Sequence, residues 1–293
     1  MVFEGSSVAL VTPFNKEGGV DFKTLEKLVE FHIENGTSWI LPCGTTGESA
    51  TLSWEEHEAV IESVVRTARK RIKVLAGAGS NNTKETIELV KFAQKVGADG
   101  ALVISPYYNK PTQGGLRAHF GAVASSVKIP IMLYNIQSRT AVNIEPETVA
   151  AVVADNPNVI GIKESSGSLE QMSKIKYLAP KIELLSGDDA LTLPVLSVGG
   201  VGVVSVAANI IPRDTAELVK AYLSGNTARA LELHYKMFPL IKALFLETNP
   251  IPVKTAMEIM GMIPSGNLRL PMTPMTESNK EKLKKALADY GLI

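Results

Sequence analysis

Short runs rich in Val, Ile and Leu alternate along the chain with longer segments whose apolar residues recur at helical spacing. The short runs are Ser7–Phe14, Trp39–Cys43, Lys73–Gly77, Gly100–Ser105, Pro130–Asn135, Val159–Glu164, Ile182–Ser186 and Gly202–Val206. They are nearly continuously apolar, as parallel strands covered on both faces must be. Between the first two, Asp21–Glu34 sets Phe22, Leu25, Leu28, Val29 and Ile33 on one helical face. Ser53, followed by Glu55 and Glu56, reads as a helix cap with acids in the first turn. Thr83, Thr112, Glu145, Ser168, Asp189 and Arg213 open the other helical segments. Eight strand–helix units in succession is the count of a closed α/β barrel, the (β/α)8 or TIM barrel. An open doubly wound sheet is the alternative, but it normally has fewer strands. Near Gly225 the alternation stops. Thr227–Leu246, Pro252–Gly261 and Ser278–Tyr290 read as helices, with the proline-bearing run 268–274 as an extended link. The expected division is a catalytic barrel of residues 1–224 and a C-terminal helical extension of residues 225–293.

Charge narrows the function. Lys+Arg and Asp+Glu are both 30 in 293 residues, a formal net charge of zero. No basic excess points to nucleic acid, and no charged tail points to a membrane surface. The single cysteine, Cys43, excludes an intramolecular disulfide and fits a reducing compartment. His32, His57, His119 and His234 are scattered and none pairs with it from sequence, so Cys43 reads as a small buried filler. Met1–Gly5 lacks the basic-then-apolar pattern of a signal peptide, so a cytoplasmic location is expected; a plastid stays open if a transit peptide has been cleaved. The uncharged stretch 190–212 has the length of a membrane span. Its Pro194, Gly199, Gly200, Gly202 and Asn209 suit a helix, a turn and a buried strand better. Gly77-Ala78-Gly79 lacks the third glycine of a dinucleotide fingerprint, and no phosphate loop ends in Gly-Lys-Ser/Thr. No His-Glu-x-x-His or cysteine cluster supports a metal. Asp188 and Asp189, after the seventh strand, would repel a phosphate at the usual barrel site.

The chemistry is read from the strand ends, because such barrels gather their active sites at the C-terminal rim. Lys163 lies in Val159-Ile160-Gly161-Ile162-Lys163-Glu164-Ser165, an apolar run of strand length. An ammonium there faces heavy desolvation, which favours the neutral amine. A neutral amine can attack a carbonyl and form a Schiff base. A lone strand-end lysine more often snorkels to water; its neighbours on the rim decide otherwise. Gly44-Thr45-Thr46-Gly47 is a turn whose N–H groups can bind a carboxylate, though glycines also serve plain strand-to-helix turns. The Thr45 hydroxyl can pass a proton. Tyr134 can act as acid and base for imine formation, against the commoner role of a packed tyrosine. Arg139 can grip a carboxylate with two parallel bonds or form a surface ion pair. Imine chemistry needs no metal, since the protonated imine is the electron sink.

Together, Gly44-Thr45-Thr46-Gly47-Glu48-Ser49, Pro106-Tyr107-Tyr108-Asn109-Lys110-Pro111, Tyr134-Asn135 with Arg139-Thr140, Gly161-Ile162-Lys163-Glu164 and Asn249-Pro250-Ile251-Pro252-Val253-Lys254 resemble the 4-hydroxy-tetrahydrodipicolinate (dihydrodipicolinate) synthase family over essentially the whole chain. The resemblance implies condensation of pyruvate with L-aspartate-4-semialdehyde in the diaminopimelate route to lysine, with no cofactor beyond the covalent imine on Lys163. It implies a relay of Tyr134, Thr45 and Tyr108, the last reaching in from a neighbouring subunit of a dimer, and a homotetramer built as a dimer of dimers. It implies that Thr46 with Thr45 holds the pyruvate carboxylate, that Arg139 holds that of the semialdehyde, and that backbone at Gly187 and Val204 lines the pocket. It further implies feedback inhibition by L-lysine at Ser49, Ala50, Trp54, His57, Asn81, Glu85 and Tyr107. Gln137 stands where the family usually has proline, which frees a backbone N–H near Arg139. Another pyruvate-imine enzyme, such as N-acetylneuraminate lyase or a 2-keto-3-deoxy sugar acid aldolase, is the alternative; paired Thr45-Thr46 and Arg139 favour the synthase. A catalytically silent barrel is disfavoured by the intact set of Lys163, Tyr134, Thr45 and Tyr108.

Overall fold

The computed structural model describes residues 1–293. Eight strands form a closed barrel in chain order: β1 Gly5–Ala9, β2 Trp39–Leu41, β3 Lys73–Gly77, β4 Gly100–Ile104, β5 Ile131–Asn135, β6 Val159–Glu164, β7 Glu183–Ser186 and β8 Gly202–Ser205. All eight pairings are parallel, β8 closing onto β1. The barrel is the expected TIM fold, and parallel pairing explains the continuous apolar runs. Alternate residues fill the inside, among them Trp39, Leu75, Leu102, Met132, Leu185 and Val204. The others, such as Val8, Ile40, Val103, Leu133 and Ile162, pack outward against helices. Phe3 plugs the N-terminal mouth, edge-on to Trp39 at 5.2 Å.

Strand one differs from expectation. It begins at Gly5 and ends at Ala9, not Ser7–Phe14. Its partner β2 ends at Leu41, whose carbonyl accepts the Leu10 N–H at 2.9 Å. The next donor, Val11 N–H, is taken by the Asn209 side chain at 3.2 Å. Residues 10–14 are therefore buried without being strand. At the other end Gly5 pairs with Gly202, where an added Cβ on Gly202 would stand 2.0 Å from the Gly5 carbonyl oxygen; only glycine lets the two backbones approach so closely.

The helix starts follow the caps. Ser53 and Glu56 form a complete capping box ahead of helix Trp54–Ala68. Thr112 caps Gln113–Ser125, and Ser168 caps Leu169–Leu178. Helix Thr83–Val96 is capped by Asn82, one residue before the expected opener, because the asparagine side chain reaches the Lys84 N–H at 3.0 Å. The uncharged 190–212 stretch divides into a short helix Thr192–Ser197, strand β8 and a turn at Ala207–Asn209. No helix is long and apolar enough to cross a membrane. Beyond Gly225 come helices Thr227–Ala243, Ile251–Ile259 and Glu277–Tyr290. Their Leu233, Met237, Leu240, Val253, Met257, Leu283 and Leu287 join the same apolar cluster as Val8, Ile40 and Val74 of the barrel wall.

Candidate active site

Two lysines are buried, Lys163 at 5 % exposure and Lys254 at 0 %. Lys254 is satisfied. Its Nζ meets Glu48 Oε1 at 2.7 Å and the Asn267 carbonyl at 2.5 Å, and lies over the Phe14 ring at 4.1 Å. Burial pushes this ammonium below its ordinary value, while Glu48 pulls the other way. Lys163 has no carboxylate partner. On β6 it faces the barrel interior, in register with Tyr134 of β5 and Leu185 of β7. Its Nζ stands 4.2 Å from the Tyr134 ring centroid. An unpaired, nearly enclosed amine is available as a nucleophile in a way that Lys254 is not.

Gly187 makes room for it. A Cβ there would lie 1.9 Å from Ser165 Oγ and 3.0 Å from Lys163 Cε. Ser165 follows Lys163 by two residues, and its buried hydroxyl has no protein partner. Val204, on β8, is a buried interior residue. Tyr134 is 4 % exposed. Its hydroxyl is not hydrogen-bonded to Thr45 within this chain.

The other wall is the turn after β2. Gly47 N–H bonds the Gly44 carbonyl at 3.1 Å, and Glu48 takes a left-handed backbone, φ +53. Thr46 is 2 % exposed, and Asn249 Nδ2 donates to its Oγ1 at 2.9 Å. The Asn249 carbonyl accepts from Arg139 Nη2 at 3.2 Å. Asn249 thus ties together the two expected carboxylate holders. In the sequence it is one residue of a motif with no role of its own; only the fold brings positions 46, 139 and 249 together. The Glu48–Lys254 pair, 206 residues apart in the chain, is likewise visible only in the fold. Arg269 extends that pair. Its N–H reaches Glu48 Oε2 at 3.2 Å, and its guanidinium grips Glu56 at 2.5 Å and the Thr51 carbonyl at 2.8 Å.

Asp189 corrects the phosphate argument. It is 2 % exposed and accepts from Ser205 Oγ and from the Val206 N–H at 2.9 Å. Burial pushes its carboxyl up, against those bonds. It anchors the loop after β8, its carboxylate taken up by Ser205, Val206 and Ala207.

A cavity of about 410 Å³ adjoins the site. Thr45, Glu48, Arg139 and Asn249 line it on the catalytic side. Ser49, Ala50, Trp54, His57, Glu85 and Tyr107 are also in its lining, so six of the seven expected effector residues converge. Asn81 does not line it; its carbonyl accepts from Asn109 Nδ2 at 2.8 Å. His57 donates Nε2–H to the Gly77 carbonyl at 2.7 Å, and burial holds its pKa down. Glu85 accepts from Ser80 Oγ at 2.6 Å. Tyr108, with φ +73, is 89 % exposed and so is not packed within this chain. Cys43 is buried, with its thiol pushed far up by burial, and is chemically quiet as expected.

The sequence profile of the dihydrodipicolinate synthetase family matches residues 2–290. The chain belongs to this family. It is therefore an enzyme of the 4-hydroxy-tetrahydrodipicolinate synthase type. A 4-hydroxy-tetrahydrodipicolinate synthase of Endomicrobium trichonymphae is 56% identical over 292 residues, covering 100% of both chains. Two family structures superpose closely. A dihydrodipicolinate synthase from Cyanidioschyzon merolae with lysine bound has TM-score 0.97 and 43% identity, covering 100% of this chain and 99% of its own. A chloride-inhibited one from Acinetobacter baumannii, complexed with pyruvate, has TM-score 0.96 and 46% identity, covering 99% of each chain.

Proposed function

We propose that this enzyme condenses pyruvate with L-aspartate-4-semialdehyde through an imine on Lys163, to give 4-hydroxy-tetrahydrodipicolinate for lysine biosynthesis. The observation that carries the reading is the unpaired amine of Lys163, 4.2 Å from the Tyr134 ring, in a chain whose other buried lysine is fully paired. The pyruvate complex of the Acinetobacter baumannii relative supports the first substrate.

The amine adds to the keto carbon of pyruvate, and water leaves the carbinolamine. Tyr134 supplies and removes the protons, with Thr45 and a Tyr108 from a second copy passing them to solvent. Thr45 and Thr46 hold the pyruvate carboxylate. The protonated imine draws electrons as a methyl proton departs, giving an enamine. Its terminal carbon attacks the aldehyde, whose own carboxylate sits on Arg139. The substrate amine then displaces Lys163 from the imine carbon, closing the ring and freeing the enzyme. Backbone at Gly187 and Val204 lines the pocket, and the chemistry calls for no metal.

L-Lysine inhibits by occupying the cavity beside the turn, Glu85 meeting its ammonium while Tyr107 meets its carboxylate. The lysine-bound Cyanidioschyzon merolae relative supports this. The exposed Tyr108 supports a dimer as the working unit. Leu231, Tyr235 and Phe238, exposed on one helix, support a further contact that makes a tetramer.

Borohydride reduction in the presence of pyruvate tests the reading directly. One pyruvyl group should map to Lys163, and Lys163→Ala should gain none. An adduct elsewhere, or no adduct, overturns the assignment. Turnover that is unchanged at millimolar L-lysine would remove the regulatory part.

A further inference from the structure

Glu164 is the one carboxylate on β6, and it is 0 % exposed. No cation pairs with it. Three donors converge on it instead. Asn135 Nδ2 reaches Oε1 at 3.2 Å and Oε2 at 3.0 Å, the Ser166 N–H reaches Oε1 at 2.7 Å, and Gln171 Nε2 reaches Oε2 at 3.0 Å. Asn135 is itself fixed. Its Nδ2 also meets Asn143 Oδ1 at 2.8 Å, and its Oδ1 accepts the Ile144 N–H at 3.0 Å. Only a group with acceptors and no donors satisfies such a set, which is why a carboxylate stands here and not an amide.

Burying an unpaired charge is costly, and two packed apolar side chains would join the same elements more cheaply. The location gives the reason. In strand register Tyr134 opposes Lys163, and the next pair is Asn135 opposite Glu164. Successive side chains point to opposite faces. The Asn135–Glu164 contact therefore lies on the outer wall of the barrel, directly behind the Tyr134–Lys163 contact on the inner wall. This is also where the ladder ends. Ser165 N–H to the Asn135 carbonyl, at 2.9 Å, is its last rung, and beyond it both chains turn away. Strand ends fray unless something holds them.

We infer that Asn135 and Glu164 are positioning residues for imine formation. They lock the ends of β5 and β6 from outside, so that the Lys163 amine stays over Tyr134 when the keto acid arrives. This rests on Lys163 being the nucleophile.

The test is the initial rate of pyruvyl adduct formation under borohydride, followed by intact mass and expressed per folded molecule from circular dichroism. Asn135→Ala and Glu164→Gln should each lower that rate and kcat about tenfold, while the pyruvate KM stays within twofold. The double variant should be no worse than the worse single, because both remove one contact. Gln171→Ala, which removes one donor to Glu164 and the Gln171–Asn143 bonds but leaves the direct Asn135–Glu164 contact, should stay within twofold of the parent rate. If Glu164→Gln does not fold, Glu164→Asp keeps the charge but shortens the reach and carries the same expectation. Parent-like trapping in both single variants overturns the inference, as does a loss in Gln171→Ala equal to theirs. Failure of the unmodified enzyme to gain an adduct would instead overturn the Lys163 assignment itself.

Discussion

Replacing Glu48 by glutamine removes one charge from a pair whose side chains are 0 % and 2 % exposed. The partner, Lys254, would keep the Asn267 carbonyl and the Phe14 ring but lose its counter-charge. Breaking a buried pair on one side costs about 3–5 kcal/mol. The amine has an escape. Burial already pushes its pKa down and Glu48 alone opposes that, so without Glu48 it can shed its proton. The sign follows from linkage. In Glu48→Gln the folded pKa of Lys254 lies below its unfolded value of about 10.4, so between the two values the unfolded chain binds the extra proton. The destabilisation should be greatest near pH 7 and shrink as pH rises toward 10. Urea midpoints of parent and variant at pH 7, 8, 9 and 10 measure this. A difference of under about 1 kcal/mol at pH 7, or one that does not change with pH, would refute the reasoning. Because Glu48 belongs to the turn carrying Thr45 and Thr46, the pyruvate KM should rise as well.

Gly187→Ala puts a methyl 1.9 Å from Ser165 Oγ and 3.0 Å from Lys163 Cε; pyruvyl trapping should fall at least a hundredfold while the melting curve stays cooperative. Adding Ser165→Gly should recover part of it. Asn249→Ala frees Thr46 from its side-chain donor but keeps the backbone carbonyl that receives Arg139, so the pyruvate KM should rise about tenfold, the worth of roughly one hydrogen bond, while the semialdehyde KM stays within twofold. Burial pushes His32 down to about 3 and His119 to about 4, both from 6.5. Their unfolded forms protonate first, so stability should be full above pH 6.5 and decline as pH falls toward 4, by about 3 kcal/mol for each histidine. His32→Gln should flatten the decline in a urea titration between pH 7 and 4; an unchanged slope would count against the assignment.

Much of this was legible in the chain because strand signals in a parallel barrel are continuous and local. The apolar runs open at Trp39, Lys73, Gly100, Val159 and Gly202, and so do strands β2, β3, β4, β6 and β8. Ser53 and Thr112 announced their helices by cap chemistry that acts within three residues. The end of β1 was not legible, because it depends on where β2 stops and on a side-chain carbonyl from residue 209. Lys163 stood out because its surroundings are its own strand. Asn249 did not, because its partners are 203 and 110 residues away. Asp189 misled for a related reason: a carboxylate in a loop reads as solvated until β8 is seen to close over it.

The grip of residues 249, 254 and 269 on the turn after β2 has a consequence for synthesis. During translation the eight strands emerge before any of these three residues does. A nascent chain can close its cylinder while the turn bearing Thr45 and Thr46 still lacks its anchors. Competence thus arrives late and as a unit, when the final fifth of the polypeptide leaves the ribosome and folds back. A chain ending after β8 would carry the Lys163 amine without the anchors of its carboxylate turn, and would leave the wall around Val8, Ile40 and Val74 stripped of its C-terminal cover.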